Sequence, residues 1–315
     1  MASSYKSSER AWHEMPLAPE MSFIVVGALH IDTIIQLQNE TCFGRTNSAT
    51  RKSVIGGVAS NIARALRRSG ASLQIAFVGA MAEDDDRVEK WLESSGIDSE
   101  FLRMDGAPPT YTAILDQHGE LLIGAADMGL YERVLADDIL TMLPEQPRTV
   151  VIDANFPAEV LLAVSQSVPD RTKLFAAGTS IEKVGRLLPL MIRLDALSLN
   201  RAEASKLTGV DDGVAALAAS LSKKLQRPDA CILVSDGADL AALACGGEVV
   251  VSHPPEIELT NANGAGDAMA AIFFQACLDT TEARDDTPAG TRDLAAMLDL
   301  ALAAGAAHAS RRGNS

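Results

Sequence analysis

Asn261-Ala262-Asn263-Gly264-Ala265-Gly266-Asp267, followed directly by Ala268-Met269-Ala270-Ala271-Ile272-Phe273-Phe274, reads as a glycine turn feeding an apolar helix. Two glycines two apart let the backbone turn tightly and present consecutive N–H groups. A helix beginning there adds unpaired N–H donors and the positive end of its dipole. Together they suit an anion such as a phosphoryl group. A carboxylate at Asp267, inside that electropositive turn, points to a base that takes a proton from a hydroxyl while the amides hold the phosphate. Neither common phosphate loop is present. A Walker A loop carries Lys and Ser/Thr after its last glycine, where this chain has Asp267 and Ala268. The dinucleotide fingerprint needs a third glycine where Met269 stands, which sets a Rossmann oxidoreductase aside. Taken alone, Gly-x-Gly-Asp is equally compatible with a loop capped by Asp267 before a buried helix.

Outward from this turn, strands and helices alternate. Phe23-Ile24-Val25-Val26-Gly27 is a short apolar run ended by glycine, a buried strand. Further strands are expected at Leu73–Val78, Thr149–Ile152, Leu174–Ala176, Ala196–Leu199 and Cys231–Val234. Helices are expected at Asn61–Arg68, Asp84–Ser95, Ala158–Ser165, Ile181–Ile192, Glu203–Leu207, Val214–Leu225 and about Thr291–Ser310. Such alternation implies a mostly parallel sheet covered on both faces. Two segments break it. One is Thr33–Val54; the other, Thr110–Asp127, reads as a hairpin turning at Gln117-His118-Gly119-Glu120. They are expected to pair as a small sheet standing off the main domain. Asp279–Thr291 reads as a polar loop, and residues 1–21 as a polar tail before a fold that begins at Ser22 or Phe23.

Composition narrows the class. The chain has 315 residues and 47% hydrophobic content, enough for a full core in one large α/β domain with an insertion or in two domains. A net charge of −15 argues against nucleic acid or an anionic membrane as partner, since both need clustered Lys and Arg. Cys42, Cys231, Cys245 and Cys277 are far apart without metal-ligand spacing, and read as thiols of a cytoplasmic protein, Cys231 and Cys277 in the core. No apolar run reaches the length of a membrane span.

Four segments in order carry a family resemblance: Gly27-Ala28-Leu29-His30-Ile31-Asp32, Gly56-Gly57-Val58-Ala59-Ser60-Asn61, Asn200-Arg201-Ala202-Glu203 and Gly264-Ala265-Gly266-Asp267. From about Ser22 to Ser310 the chain resembles the ribokinase-like (PfkB) family of sugar and nucleoside kinases. The resemblance implies a three-layer α/β/α domain over residues 22–315, with a small β-sheet lid from about 33–54 and 110–127. In the family that lid covers the sugar and often forms a homodimer contact. It implies that Asp267 is the general base and that Gly264, Ala265 and Gly266 hold the transferring phosphoryl. It assigns Asp32, Gly56, Gly57 and Asn61 to the acceptor. Asn200 and Glu203 would order the phosphates of ATP and the hydration shell of Mg²⁺, Glu203 acting through water. Nucleotide contacts fall at Ser235, Asp236, Gly237 and Asn263, although Leu240 stands where many relatives have a second glycine. A monovalent cation such as K⁺ beside the anion hole is common in the family.

Asp127-Met128 with Tyr131, Asp153-Ala154-Asn155, and Val58-Ala59 in place of the Lys-Gly of many sugar kinases are most similar to the pseudouridine kinase branch. Asp127, on the far strand of the lid, is expected to reach the acceptor's base or ribose. His30 and His118 carry no signal of their own. The expected activity is ATP-dependent phosphorylation of a nucleoside 5′-hydroxyl, pseudouridine first. The alternatives are a ribokinase- or fructokinase-type sugar kinase and a non-catalytic nucleoside-binding protein on the same fold.

Overall fold

The fold, taken from a computed structural model, is described for residues 22–70, 73–227, 229–258, 260, 263–282 and 293–310. The first half runs β1 (Ser22–Val26), β2 (His30–Leu37), β3 (Ala49–Gly56), α1 (Val58–Ser69), β4 (Gln74–Ala82), α2 (Arg87–Ser94), β5 (Asp98–Met104), β6 (Thr110–Leu115) and β7 (Leu121–Asp127). The second half runs α3 (Ala136–Leu140), β8 (Thr149–Asp153), α4 (Ala158–Ser167), β9 (Lys173–Ala177), a 3₁₀ segment (Val184–Arg193), β10 (Ala196–Asn200) and α5 (Arg201–Thr208). It continues with α6 (Val214–Ser222), β11 (Cys231–Ser235), β12 (Ala241–Cys245), β13 (Glu248–Ser252), α7 (Ala265–Glu282) and α8 (Leu294–Ala309).

Alternation along β1 shows how the layers arise. Phe23 and Val25 enter one apolar core, Ile24 and Val26 the other, because successive side chains leave a strand on opposite faces. The nine-stranded sheet is ordered β13-β12-β11-β10-β9-β8-β1-β4-β5. Strands from β5 to β11 in that order pair in parallel; β12 and β13 pair antiparallel at one edge. One face packs on α4, the 3₁₀ segment, α5 and α6, the other on α1, α2, α7 and α8. Both faces are covered, so β8 reads Thr-Val-Val-Ile-Asp with every residue buried. The second, smaller sheet, ordered β3-β2-β6-β7, takes in the two segments expected to pair and is the candidate lid.

The lid starts earlier than expected, at His30, and returns to Gly56, so Asp32 lies within strand β2 and not on a turn. α1 likewise begins at Val58, which puts Asn61 in its first turn instead of at its cap. The expected helix at Ile181–Ile192 is a 3₁₀ segment holding Pro189, whose ring removes an N–H donor from the ladder. β5, β12 and β13 were not foreseen. β5 is a half-exposed edge strand mixing Asp, Glu and Arg with Phe and Leu, and β12 reads Ala-Ala-Leu-Ala-Cys, poor in strand-favouring residues. α7 continues to Glu282, so the first residues of the expected polar loop are helical; the rest of that loop and the tail at 1–21 lie outside the described residues. The reading of Cys231 and Cys245 as thiols is corrected. They face each other across β11 and β12, with Cα atoms 4.3 Å apart, and are joined as a disulfide. Cys42 and Cys277 are outside this disulfide, the first exposed and the second buried.

α7 is held to the sheet by aromatic packing. Phe274 is fully buried, its ring 5.2 Å from that of Phe175 on β9 and 5.4 Å from that of Phe273. Phe274→Ala is expected to cost about 3–5 kcal/mol of folding stability, through lost burial and the cavity left behind. Urea unfolding with an unchanged slope would check it.

Candidate active site

The parallel strands bring their C-terminal ends to one side of the main sheet. There the lid rises from the end of β1 through Gly27-Ala28-Leu29, and β3 returns straight into α1. α7 points its N-terminus to the same side. Gly264 adopts φ 80°, and its carbonyl accepts the N–H of Ala268 at 3.0 Å. The amides of Ala265, Gly266 and Asp267 are thereby the first-turn donors that a helix cannot pair internally. Between lid and sheet lies a cleft of about 1110 Å³. Its lining includes Asp32, Gly56 and Gly57 from the lid side, Asn61 from α1, and Asn263, Gly264 and Asp267 at the turn into α7.

Asp267 is half-buried, and Asn61 Nδ2 donates to its Oδ2 at 2.8 Å. Burial pushes its carboxyl up to about 7. The Asn61 hydrogen bond and the positive charge of Arg64 oppose that shift, while the negative charges of Asp153 and Glu203 add to it. A carboxyl poised there exchanges protons near neutrality. Asp32 is buried on β2, its Oδ1 lying 2.6 Å from His30 Nδ1. The two glycines of the lid-to-α1 turn answer to the protein's own crowding. A Cβ on Gly56 would sit 2.2 Å from Asp32 Oδ2. One on Gly57, at φ 105°, would sit 2.2 Å from the Ala28 carbonyl oxygen.

Of the expected nucleotide residues, Asn263 lines the cleft, while Asn200, Ser235, Asp236 and Gly237 lie beside it and not in its lining. Asn200 and Ser235 are direct neighbours at the ends of β10 and β11. Asn200 and Glu203 form a reciprocal cap on α5: Asn200 Oδ1 accepts Glu203 N–H at 2.9 Å, and Glu203 Oε2 accepts Asn200 N–H at 3.0 Å. Glu203 is buried, and desolvation raises its pKa. A Cβ on Gly178 would sit 2.1 Å from its Oε2, so that glycine makes room for the carboxylate. Asp236 accepts from Arg201 Nη1 at 3.2 Å, and Gly237 adopts φ 61°. The Asn263 carbonyl accepts from His308 Nε2–H at 2.9 Å. Asp127 stands apart. It is exposed at the end of β7, its carboxylate accepts Gly129 N–H at 3.3 Å, and only its neighbours Ala126 and Met128 line the cleft.

Several site residues had no signal strong enough to assign them from sequence. Asp153 is fully buried at the end of β8 and accepts four hydrogen bonds, from the amides of Ala28, Ala59 and Asn155 and from Asn155 Nδ2, at 2.9–3.1 Å. Tyr131, fully buried, pairs with both backbone groups of Leu29, at 3.1 and 2.8 Å. Lys183 lines the cleft and donates to Asn155 Oδ1 at 3.1 Å; burial, with Arg186 beside it, lowers its pKa. His30 and Arg64 also line the cleft. The expected strand stopped at Ile152, and Asp153 was marked only by the resemblance of Asp153-Ala154-Asn155, with no role; the fold supplies its partners.

A model of the pfkB family of carbohydrate kinases matches residues 22–315. The pseudouridine kinase of Escherichia coli strain K12 is 23% identical over 264 residues, 81% of this chain and 83% of that protein. The pseudouridine-metabolizing bifunctional protein C1861.05 of Schizosaccharomyces pombe is 25% identical over 173 residues, 53% of this chain. That match covers only 23% of the yeast protein's length. Among solved structures, the ribokinase of Giardia lamblia superposes with a TM-score of 0.77 at 17% identity, over 93% of this chain and 95% of the other. The two sheets and their helical layers are therefore a ribokinase-like fold.

Two outcomes follow from the buried carboxylates. Asp153→Ala strands the amides of Ala28 and Ala59, each at about 1–3 kcal/mol, and should lower the urea midpoint by at least the equivalent of about 2 kcal/mol. Asp267 has its pKa raised on folding, so the native state holds a proton that the unfolded chain gives up first, and stability falls as pH rises from about 4 through 7. Asp267→Asn should therefore raise Tm relative to wild type above pH ~7 and leave it unchanged below pH ~4.

Proposed function

The chain belongs to the pfkB family of carbohydrate kinases, and from that premise we propose that it moves the γ-phosphoryl of ATP to the 5′-hydroxyl of a nucleoside, pseudouridine first. At the coarser level the protein is a sugar or nucleoside kinase. The observation that carries the phosphoryl-transfer reading is the pairing of Asp267, poised near pH 7 in the first turn of α7, with the cleft beneath the lid. In this reading Asp267 takes the proton as the 5′-oxygen attacks the γ-phosphorus. The P–O bond to ADP breaks, and the amides of Ala265, Gly266 and Asp267 hold the equatorial oxygens. Asp32 accepts hydrogen bonds from the acceptor hydroxyls, with His30 fixing its direction. The lid closes over the nucleoside and keeps water from the γ-phosphoryl.

ATP phosphates lie towards Asn200, Ser235, Asp236 and Gly237, at the ends of β10 and β11 beside Asn263. Among the described residues no group of three His, Cys, Asp or Glu stands ready for a metal. Mg²⁺ bound chiefly by phosphates and water has no need of such a group. Glu203 fits a role through water: Oε2 is engaged in the α5 cap, leaving Oε1 to hold a hydration-shell water. When bound, the ion supplies charge neutralisation on the phosphates. A monovalent cation such as K⁺ beside the α7 turn belongs to the same reading.

Two curated relatives, 23% and 25% identical, are named for pseudouridine chemistry, and this favours a nucleoside over a free sugar. Asp127, exposed at the lid margin, keeps only a closed-lid role. A homodimer through the lid is favoured by apolar side chains left on its outer surface, Leu121 and Ile123 being 57% and 53% exposed. Among the described residues no helix is long and apolar enough to cross a membrane. An ATP-using kinase with small-molecule substrates is inferred to work in the cytoplasm.

ADP release with Mg-ATP across pseudouridine, uridine, adenosine, ribose and fructose tests the reading. Turnover on pseudouridine should exceed that on the sugars, and Asp267→Ala should lose about 10²–10⁴-fold of it. Preferred turnover of ribose or fructose would keep the base and discard the nucleoside.

A further inference from the structure

One run of contacts connects the surface of α2 to the candidate base. Asn61 and Arg64 are three residues apart on α1 and share a helix face. Arg64 Nη2 donates to Asn61 Oδ1 at 3.0 Å, and Asn61 Nδ2 donates to Asp267 Oδ2 at 2.8 Å. The guanidinium carbon of Arg64 lies 5.1 Å from the ring centre of Trp91 on α2, within cation–π range. The chemistry of the two ends fixes the middle. A guanidinium can only donate and an ionised carboxylate can only accept, so the amide between them has one workable orientation. Asp267 Oδ2 is thereby held by an N–H, which leaves Oδ1 for the acceptor hydroxyl.

We propose that Arg64 is a positioning residue for this kinase: it locks the Asn61 amide so that Asp267 is held ready as the base, and Trp91 holds Arg64 in place. The proposal deepens the reading of Asp267 as base and rests on it. Removing the guanidinium frees the amide to rotate. In the rotated state Oδ1 faces the carboxylate and the hydrogen bond to the ionised form is lost.

The charges around Asp267 set the expected direction. Asp153 at the end of β8 and Glu203 on α5 disfavour its ionised form, and Arg64 on α1 favours it. Arg68, one turn further along α1, faces Arg64, and His308 on α8 touches the turn at the Asn263 carbonyl. Of these, Arg64 is the cation that stabilises the carboxylate. Its loss moves ionisation of Asp267 to higher pH.

The test compares wild type with Arg64→Met, Arg64→Lys, Asn61→Ala and the Asn61→Ala/Arg64→Met double variant, on the acceptor that wild type turns over fastest. Arg64→Met should lower kcat by about tenfold or more, leave KM for ATP within about twofold, and move the acidic limb of the kcat–pH profile up by at least about half a unit. Arg64→Lys keeps charge and a donor, so it should restore much of that limb. In the Asn61→Ala background, Arg64→Met should cost little more, because the relay is already cut. An unmoved limb in Arg64→Met, or losses that multiply in the double variant, would overturn the proposal. The ¹³C titration of the Asp267 carboxyl, assigned against Asp267→Asn, needs no acceptor. A midpoint that rises in Arg64→Met supports the relay, and one that stays put sinks it, even if no tested acceptor is turned over and the kinase reading itself fails.

Discussion

A single buried carboxylate holds the working end of this molecule together. Asp153 sits fully buried at the end of β8 and accepts amides from three places: Ala28 after β1, Ala59 in the first turn of α1, and Asn155 after its own strand. A charge taken that far from water persists only when its lone pairs are filled. The four N–H groups fill them, and in doing so they fix where the lid leaves the sheet and where α1 begins. Gly57 completes the junction, since its backbone conformation and its approach to the Ala28 carbonyl exclude a side chain. From that junction Asn61 projects to Asp267, and β2 carries Asp32 into the cleft.

The site is therefore an arrangement of carboxylates with different surroundings. Asp153 has its acceptors filled and acts as a structural tie. Asp32 is matched to His30 within the lid. Glu203 is half-occupied by the α5 cap, and Asp267 receives a hydrogen bond at one oxygen only. Burial and the neighbouring carboxylates push Asp267 towards neutrality of charge, while Asn61 and Arg64 pull the other way. A base must be ionised to act yet basic enough to take a proton, and opposing influences of this kind place it between those needs. The same burial makes this candidate base a cost to folding above neutral pH, a common tension between stability and activity.

Several motifs turn out to serve the fold before they serve any ligand. Asn200 and Glu203 cap α5, Gly56 clears space for the Asp32 carboxylate, and Tyr131 ties down Leu29. These roles are compatible with contact to nucleotide or acceptor, because a group already fixed by the protein loses little freedom when a ligand arrives. Asp127 differs, since its carboxylate turns back to the Gly129 amide at the rim.

Sequence alone carried the layered α/β architecture, because apolar runs such as Phe23–Val26 and Cys231–Val234 are long enough and regular enough to be read locally. It also marked the Gly264–Asp267 turn, where glycine spacing and a helix start are neighbours in the chain. The edge strands β5 and β13, and β12 beside β13, escaped because half-exposed or alanine-rich strands have no strong periodic signature. The 3₁₀ segment escaped because its apolar spacing is that of a helix and masks the effect of Pro189. Tertiary structure decided what spacing cannot encode. Asp153 and Ala28 are 125 residues apart, and Asn61 and Asp267 are 206 apart. Folding also decided which charges move the Asp267 pKa, that Cys231 and Cys245 face each other, and that the Asp127 carboxylate meets the Gly129 amide. Local sequence sets which backbone a segment prefers, whereas desolvation, pairing and orientation of a charge depend on the groups that folding brings to it from elsewhere in the chain.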